Sequence, residues 1–185
     1  MEQITSKQHI WNEAGKAGFV LGLVSSAYMF IIQFLGVSSL GAGLQLVLNG
    51  VLWLAKFTGC IYLMRFFMLK LVAADKTADH SSTFRFGMIT AGLSALVFAA
   101  MSFLNTAYLS ADLMNSQYEQ VIQQLAPMMD SNSLAAARSM MGNLPQMTFF
   151  SNLIYCFIYG TVLSAILSRM IPSDDPFADN TTDGQ

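Results

Sequence analysis

Four long apolar runs limit what this chain can fold into. They are Ala17 to Leu35 (AGFVLGLVSSAYMFIIQFL), Leu46 to Met64 (LVLNGVLWLAKFTGCIYLM), Phe86 to Tyr108 (FGMITAGLSALVFAAMSFLNTAY) and Phe149 to Ile171 (FFSNLIYCFIYGTVLSAILSRMI). Each holds about 19 to 23 residues, enough at about 1.5 Å per residue to cross a hydrocarbon core about 30 Å thick. Lipid offers the backbone no hydrogen-bond partners, so only helices or closed barrels span it, and these runs lack the two-residue alternation of barrel strands. Charged residues make up 11% of the chain, against about 25% in a soluble domain. The sequence therefore predicts an all-α membrane protein. Residues 1–172 form a single four-helix transmembrane domain, with helices at about 17–35, 46–64, 86–108 and 149–171. Ser25 to Ala27 imitates a signal-peptidase site. However, Glu2 and Glu13 accompany Lys7 and Lys16 ahead of it, and the apolar stretch continues to Leu35, so the first run reads as a retained helix.

The basic residues orient these helices. Lys7 and Lys16 precede the first run, Arg65, Lys70, Lys76 and Arg85 lie between the second and third, and Arg169 closes the fourth. The opposite side carries only Arg138. Both termini are expected in the cytoplasm, with the protein multi-pass in the inner (cytoplasmic) membrane. A net charge of -2 without a run of Lys or Arg gives no reason to expect nucleic-acid binding.

Residues 111–142 are the one sizeable non-membrane segment, expected outside the cytoplasm. Met114, Tyr118, Val121, Ile122, Leu125 and Met129 recur at helical spacing, and Pro127 should end that helix. A second short helix is expected with Ser133 as N-cap, Gly142 near its C-cap and Pro145 just beyond. Both are amphipathic and suit a cap lying on the bundle or the membrane interface. The acidic end, residues 173–185, has the composition of a disordered cytoplasmic tail.

Lipid is as apolar as Leu, so membrane helices associate through close packing and polar contacts. Small residues fall at four-residue spacing in three helices: Gly18, Gly22 and Ser26; Gly87, Ala91, Ala95 and Ala99; Cys156, Gly160, Ser164 and Ser168. A compact four-helix bundle is the simplest product, and the same stripes suit a homo-oligomer.

The outlier is Lys56, in the middle of the second run. A cation at mid-bilayer costs about 2.5–3.5 kcal/mol on insertion scales and usually faces a bundle interior or a cavity. Either end of the run is about 12–15 Å away by helix rise, too far for full snorkelling. No Asp or Glu lies in any run. Hydroxyls at similar depth (Ser25, Ser26, Tyr28, Ser94, Tyr155, Tyr159) and backbone carbonyls are the available partners. Gln45, Asn49, Lys56 and Cys60 share one helix face, so Lys56, Asn49, Gln45 and Tyr159 are the candidate ligand-binding residues. Cys60 and Cys156 read as buried thiols at different depths, not as a disulfide. His9 and His80 lack companion ligands at metal spacing, and the methionines outside the membrane read as interface filler instead of a copper site. No metal, cofactor or catalytic residue is expected.

The stretch after the second run (Arg65 to Lys70), STFRFGMITAGLSALVFAAMSFLNTAYL in the third helix, a Gln/Met-rich helical segment and FIYGTVLSAILSRMI in the fourth carry a resemblance. From about Lys16 to Pro172 the chain resembles the uncharacterised bacterial membrane family called domain of unknown function 4199. Gly160, Ser164 and Arg169 match its fourth-helix pattern. The resemblance implies the membrane fold and no activity. The leading expectation is a non-enzymatic accessory or assembly subunit, whose partners are the lipid bilayer and another protein or further copies of itself. The alternative is a small oligomeric transporter, or a binder of an anionic ligand or lipid, using Lys56.

Overall fold

A computed structural model describes residues 2–37, 41–74 and 80–171; the predicted disordered tail lies outside the described residues. Six α-helices follow one another: α1 (Glu2–Val37), α2 (Ala42–Ala74), α3 (His80–Leu104), α4 (Ala111–Leu125), α5 (Ser131–Met140) and α6 (Leu144–Met170). There is no strand among the described residues. Gln8–Gly36, Gly43–Ala74, His80–Leu109 and Ser131–Met170 contain helix long and apolar enough to cross a membrane.

The helices outrun the apolar runs that announced them. α1 begins well before Ala17 and α2 continues past Met64. Hydrophobicity marks only the part of a helix that lipid could surround. The flanks Ser6–Lys16 and Arg65–Ala74 hold no Pro and only Gly15, so nothing stops the backbone ladder there.

The short helices differ from expectation at their caps. Asp130, not Ser133, caps α5: its carboxylate accepts the Ser133 N–H at 3.0 Å. Ser133 sits three residues in, where its backbone donor needs that acceptor. Gly142 lies in a 3₁₀ turn (Met141–Asn143), and no glycine among the described residues has a positive φ, so it ends no helix by a left-handed cap. Pro145 opens α6, where its missing N–H costs nothing. The α4–α5 pair is a hairpin held to itself. The Tyr118 hydroxyl donates to the Ala137 carbonyl at 3.3 Å, Arg138 lies 3.4 Å from Glu119, and Ile122 is buried. Its contacts are chiefly internal and with the turns at its two ends, so it is not laid along the bundle.

α3 is the hub, packed along α1 on one side and α6 on the other. A methyl carbon at Gly18 would lie 2.7 Å from Leu93 Cβ, and one at Gly22 2.6 Å from Val97 Cβ. At Gly160 it would lie 2.6 Å from Ala91 Cβ, and at Gly87 it would strike Met68 and Ser164. Ala95 and Ala99 are also buried on α3. The hydroxyls of Ser26 and Ser164 donate back to Gly22 and Gly160 carbonyls at 2.8 and 2.7 Å, which satisfies them inside the seam.

α2 departs from the expected compact bundle. It leans mainly on α1 and meets α6 sparsely. Its buried residues, Met64, Met68 and Leu71, all lie in its second half, where they join Ala14, Ala17, Leu21, Phe86 and Leu167 in the main core. A bridge from Glu13 to Lys70 (3.6 Å) fastens the same end. Its most apolar stretch has no buried residue. The molecule is thus a three-helix core with a fourth helix pinned at one end.

Candidate functional site

The loose fit of α2 leaves a cavity of about 160 Å³ at mid-length, between α2 and the α1–α3–α6 core. Lys56 points into it. Its Nζ stands 4.8 Å from the centre of the Tyr28 ring and 5.4 Å from that of Phe98. A cation over an aromatic face is attracted by the ring quadrupole, by about 0.5–1 kcal/mol where solvent reaches it and about 2 where it does not. Neither a hydrogen bond nor an ion pair to Lys56 occurs among the described residues. The Glu13 carboxylate of α1 is paired with Lys16 and Lys70 instead.

Ser25, Ser94, Tyr155 and Tyr159 line the same cavity. Tyr28 supplies its ring face instead of its hydroxyl, and Ser26 is turned to its own helix. Of the four candidate ligand-binding residues, Lys56 and Tyr159 meet at the cavity, whereas Asn49 and Gln45 do not line it. They lie two and three turns away along α2 towards its start, where Asn49 has a buried side-chain oxygen without a partner. The small residues named for packing sit in the α1–α3–α6 seams, and Ala91 and Gly160 also form the cavity floor.

Both cysteines line the cavity, as free thiols. Cys60 follows Lys56 by one turn of α2 and reaches Ser25; Cys156 faces it from α6. Reading depth along each helix by rise alone separated them. Helix offset brings them to one site, which a single sequence does not display.

The mouth between α2 and α6 is aromatic. Trp53 stacks on Phe57 (5.5 Å between ring centres), Phe57 leans on Tyr159 (6.1 Å), and Tyr159 stacks on Tyr155 (6.5 Å). All four rings line the cavity and all are more than a third exposed. The site is therefore a small, mainly apolar chamber with one cation and a few polar side chains, open sideways through a row of rings.

A second polar centre escaped the sequence reading. At the other end of the core the helix leaves α3 through a π-helical turn (Asn105–Leu109), closed by Ser110 N–H to Asn105 O at 2.8 Å. The Ser110 hydroxyl donates to Asn105 Oδ1 at 3.1 Å and accepts from Gln33 of α1. Asn152 of α6 donates to Ser102 Oγ at 2.8 Å. Gln33, Asn105 and Asn152 inside apolar runs were the available signal. His80, near the opposite end, donates from Nδ1 to the Ser168 carbonyl at 2.7 Å, which ties the start of α3 to the end of α6.

No curated protein and no solved structure matches the chain. A family model does, described as a protein of unknown function (DUF4199), and it matches residues 16–171, which take in α3, α6, Lys56 and both ends of the cavity. The chain belongs to the DUF4199 family.

Proposed function

We propose that this chain is a multi-pass protein of the cytoplasmic membrane, both termini inside, that holds an anionic amphiphile at Lys56 and does no chemistry on it. One observation carries the reading: a cation at mid-length of an apolar helix turns inward, into a cavity, with rings beneath it and no counter-charge among the described residues. Ser25, Ser94, Tyr155 and Tyr159, which line the same cavity, would be the further hydrogen-bonding residues for an anionic oxygen there. A charge-assisted hydrogen bond contributes about 1.5–3 kcal/mol, so loss of the ammonium should weaken such a ligand about 10- to 150-fold.

The test compares wild type, Lys56→Met and Lys56→Arg, purified in mild detergent, for retained anionic amphiphile by native mass spectrometry. Wild type retains it, Lys56→Met loses it, and Lys56→Arg keeps part of it. Equal retention by wild type and Lys56→Met would end the proposal.

A second reading, an accessory subunit docked on a partner protein, is favoured by α2, whose most apolar stretch buries nothing within the chain. Copurification that survives in Lys56→Met but fails when Leu46, Val47 and Leu54 on that helix are made Ser would support it. A monomer without a partner in mild detergent would count against it.

A further inference from the structure

Resting on the site reading above, we infer that the ligand is a long-chain carboxylic acid that enters sideways from the bilayer through the slit between α2 and α6. Three observations select this class. The first is volume. A cavity near 160 Å³ resembles those of about 150 Å³ that accept a benzene-sized guest. It takes a headgroup of a few heavy atoms and no acyl chain, so the tail must remain outside, between the rings of the mouth.

The second is depth and charge. Lys56 lies about 12–15 Å from either end of its apolar run. A diacyl phospholipid would have to bring a permanently charged phosphate and both its chains to that level. A carboxylic acid has a single ionisable group, which passes through hydrocarbon in its neutral form. The cavity lining supplies one cation, Lys56, and so matches one carboxyl group.

The third is the opening. Trp53, Phe57, Tyr155 and Tyr159 line the cavity yet are 55, 38, 70 and 37% exposed, so the slit faces the space lipid would occupy. The α2 residues buried against the core lie at Met64 and beyond, which leaves the slit half of the helix free to part from α6. A single acyl chain would lie against the ring row while its carboxyl group reaches Nζ.

The chain's two tryptophans, Trp11 and Trp53, provide the probe. In the Trp11→Phe variant, reconstituted in nanodiscs of zwitterionic lipid, fluorescence comes from Trp53 alone at the slit. Brominated stearic acid should quench it saturably. Lys56→Met in that background should raise the half-saturating concentration at least tenfold, and millimolar butyrate should not compete. Brominated phosphatidylglycerol should quench only in the unsaturable manner of bulk lipid. If butyrate displaces the acid, entry is from water and the sideways route fails. If phosphatidylglycerol quenches with the same Lys56 dependence, the carboxylic-acid class fails; in both cases anion binding at Lys56 still stands. If no anion quenches in a Lys56-dependent way, both this inference and the site reading fall.

Discussion

Gly160→Ala tests the architecture at its tightest seam. The added methyl carbon would lie 2.6 Å from Ala91 Cβ and 3.3 Å from Ala91 Cα, whereas carbon atoms rest at about 3.5–4.0 Å. Neither atom of Ala91 can move by a rotamer change, because one is backbone and the other is fixed to it. Relief requires α3 and α6 to part by about 1 Å, and a gap of about 0.5–1 Å forfeits a quarter to a half of each dispersion contact along the seam. Overpacking of this kind costs about 1–3 kcal/mol. Gly59 is the internal control: it is also mid-helix, and nothing lies within 4 Å of its added carbon. There, Ala removes backbone freedom from the unfolded chain and should stabilise by about 0.5–1 kcal/mol. Gly160, also mid-helix, shares that gain, so the two identical chemical changes should differ by the overpacking cost alone, about 1–3 kcal/mol. Steric-trap or SDS-titration unfolding of both variants, followed by circular dichroism, reads the difference. If Gly160→Ala is as stable as Gly59→Ala, the α3–α6 seam does not hold the fold together as described.

Three further outcomes follow from the same geometry. Lys56→Met should stabilise the ligand-free protein by about 0.5–2.5 kcal/mol, because a mid-bilayer cation costs about 2.5–3.5 kcal/mol and two ring contacts return about 1–2; thermal unfolding in detergent would show a loss instead if Lys56 were a structural strut. A double-mutant cycle between Asn152→Ala and Ser102→Ala should give a coupling near 0.6 kcal/mol, the usual size for hydrogen bonds between membrane helices, and a coupling of zero would mean the two side chains do not meet. The Ser133 hydroxyl and backbone N–H hold the Asp130 carboxyl below the usual carboxylate range. Its cap on α5 is therefore fully present above about pH 4, the ordinary Asp value, and is lost as pH falls through the lowered folded value. Amide exchange of α5 should quicken over that acid window in wild type and show no such step in Asp130→Asn.

What the sequence displays is what one-dimensional order controls. Hydropathy located all four long helices because apolar length is local, and the spacing of Gly18, Gly22, Gly87 and Gly160 singled out residues that the fold puts in its closest seams. Helix ends were less legible. Arg65 and Lys70 stop an apolar run without stopping a helix, and the cap of α5 depended on which of two polar residues, Asp130 or Ser133, turned extended. Relative placement was least legible. Lys56 was visible as an anomaly, but whether it faced lipid or cavity depends on the rotation of α2 against its neighbours. Cys60 and Cys156 reach one chamber through the axial offset of α2 and α6, a quantity encoded by packing between helices. Asn49 and Gln45 share the Lys56 face by spacing, yet do not line the cavity, whose α2 lining runs only from Trp53 to Met64.

The weight of the functional reading rests on an energy difference that the fold leaves unmet. A lysine kept for structure alone has two ordinary solutions: its side chain can run to the membrane surface, or it can meet a carboxylate. Lys56 does neither. In a bilayer spanned by its apolar run it would be too deep for the first, and among the described residues no carboxylate pairs with it. Two rings return about 1–2 kcal/mol of a cost near 2.5–3.5, so about 0.5–2.5 kcal/mol stays uncompensated in the empty protein. An anionic oxygen in the cavity would recover about 1.5–3 kcal/mol, enough to offset a deficit of that size. A carboxylate built into α3 at Ser94 would do the same permanently and fill the space. Ser94→Asp should therefore raise stability while abolishing Lys56-dependent quenching of Trp53, a paired outcome that a merely tolerated lysine would not give. Should Ser94→Asp leave that quenching intact, Lys56 would not be where the ligand is held.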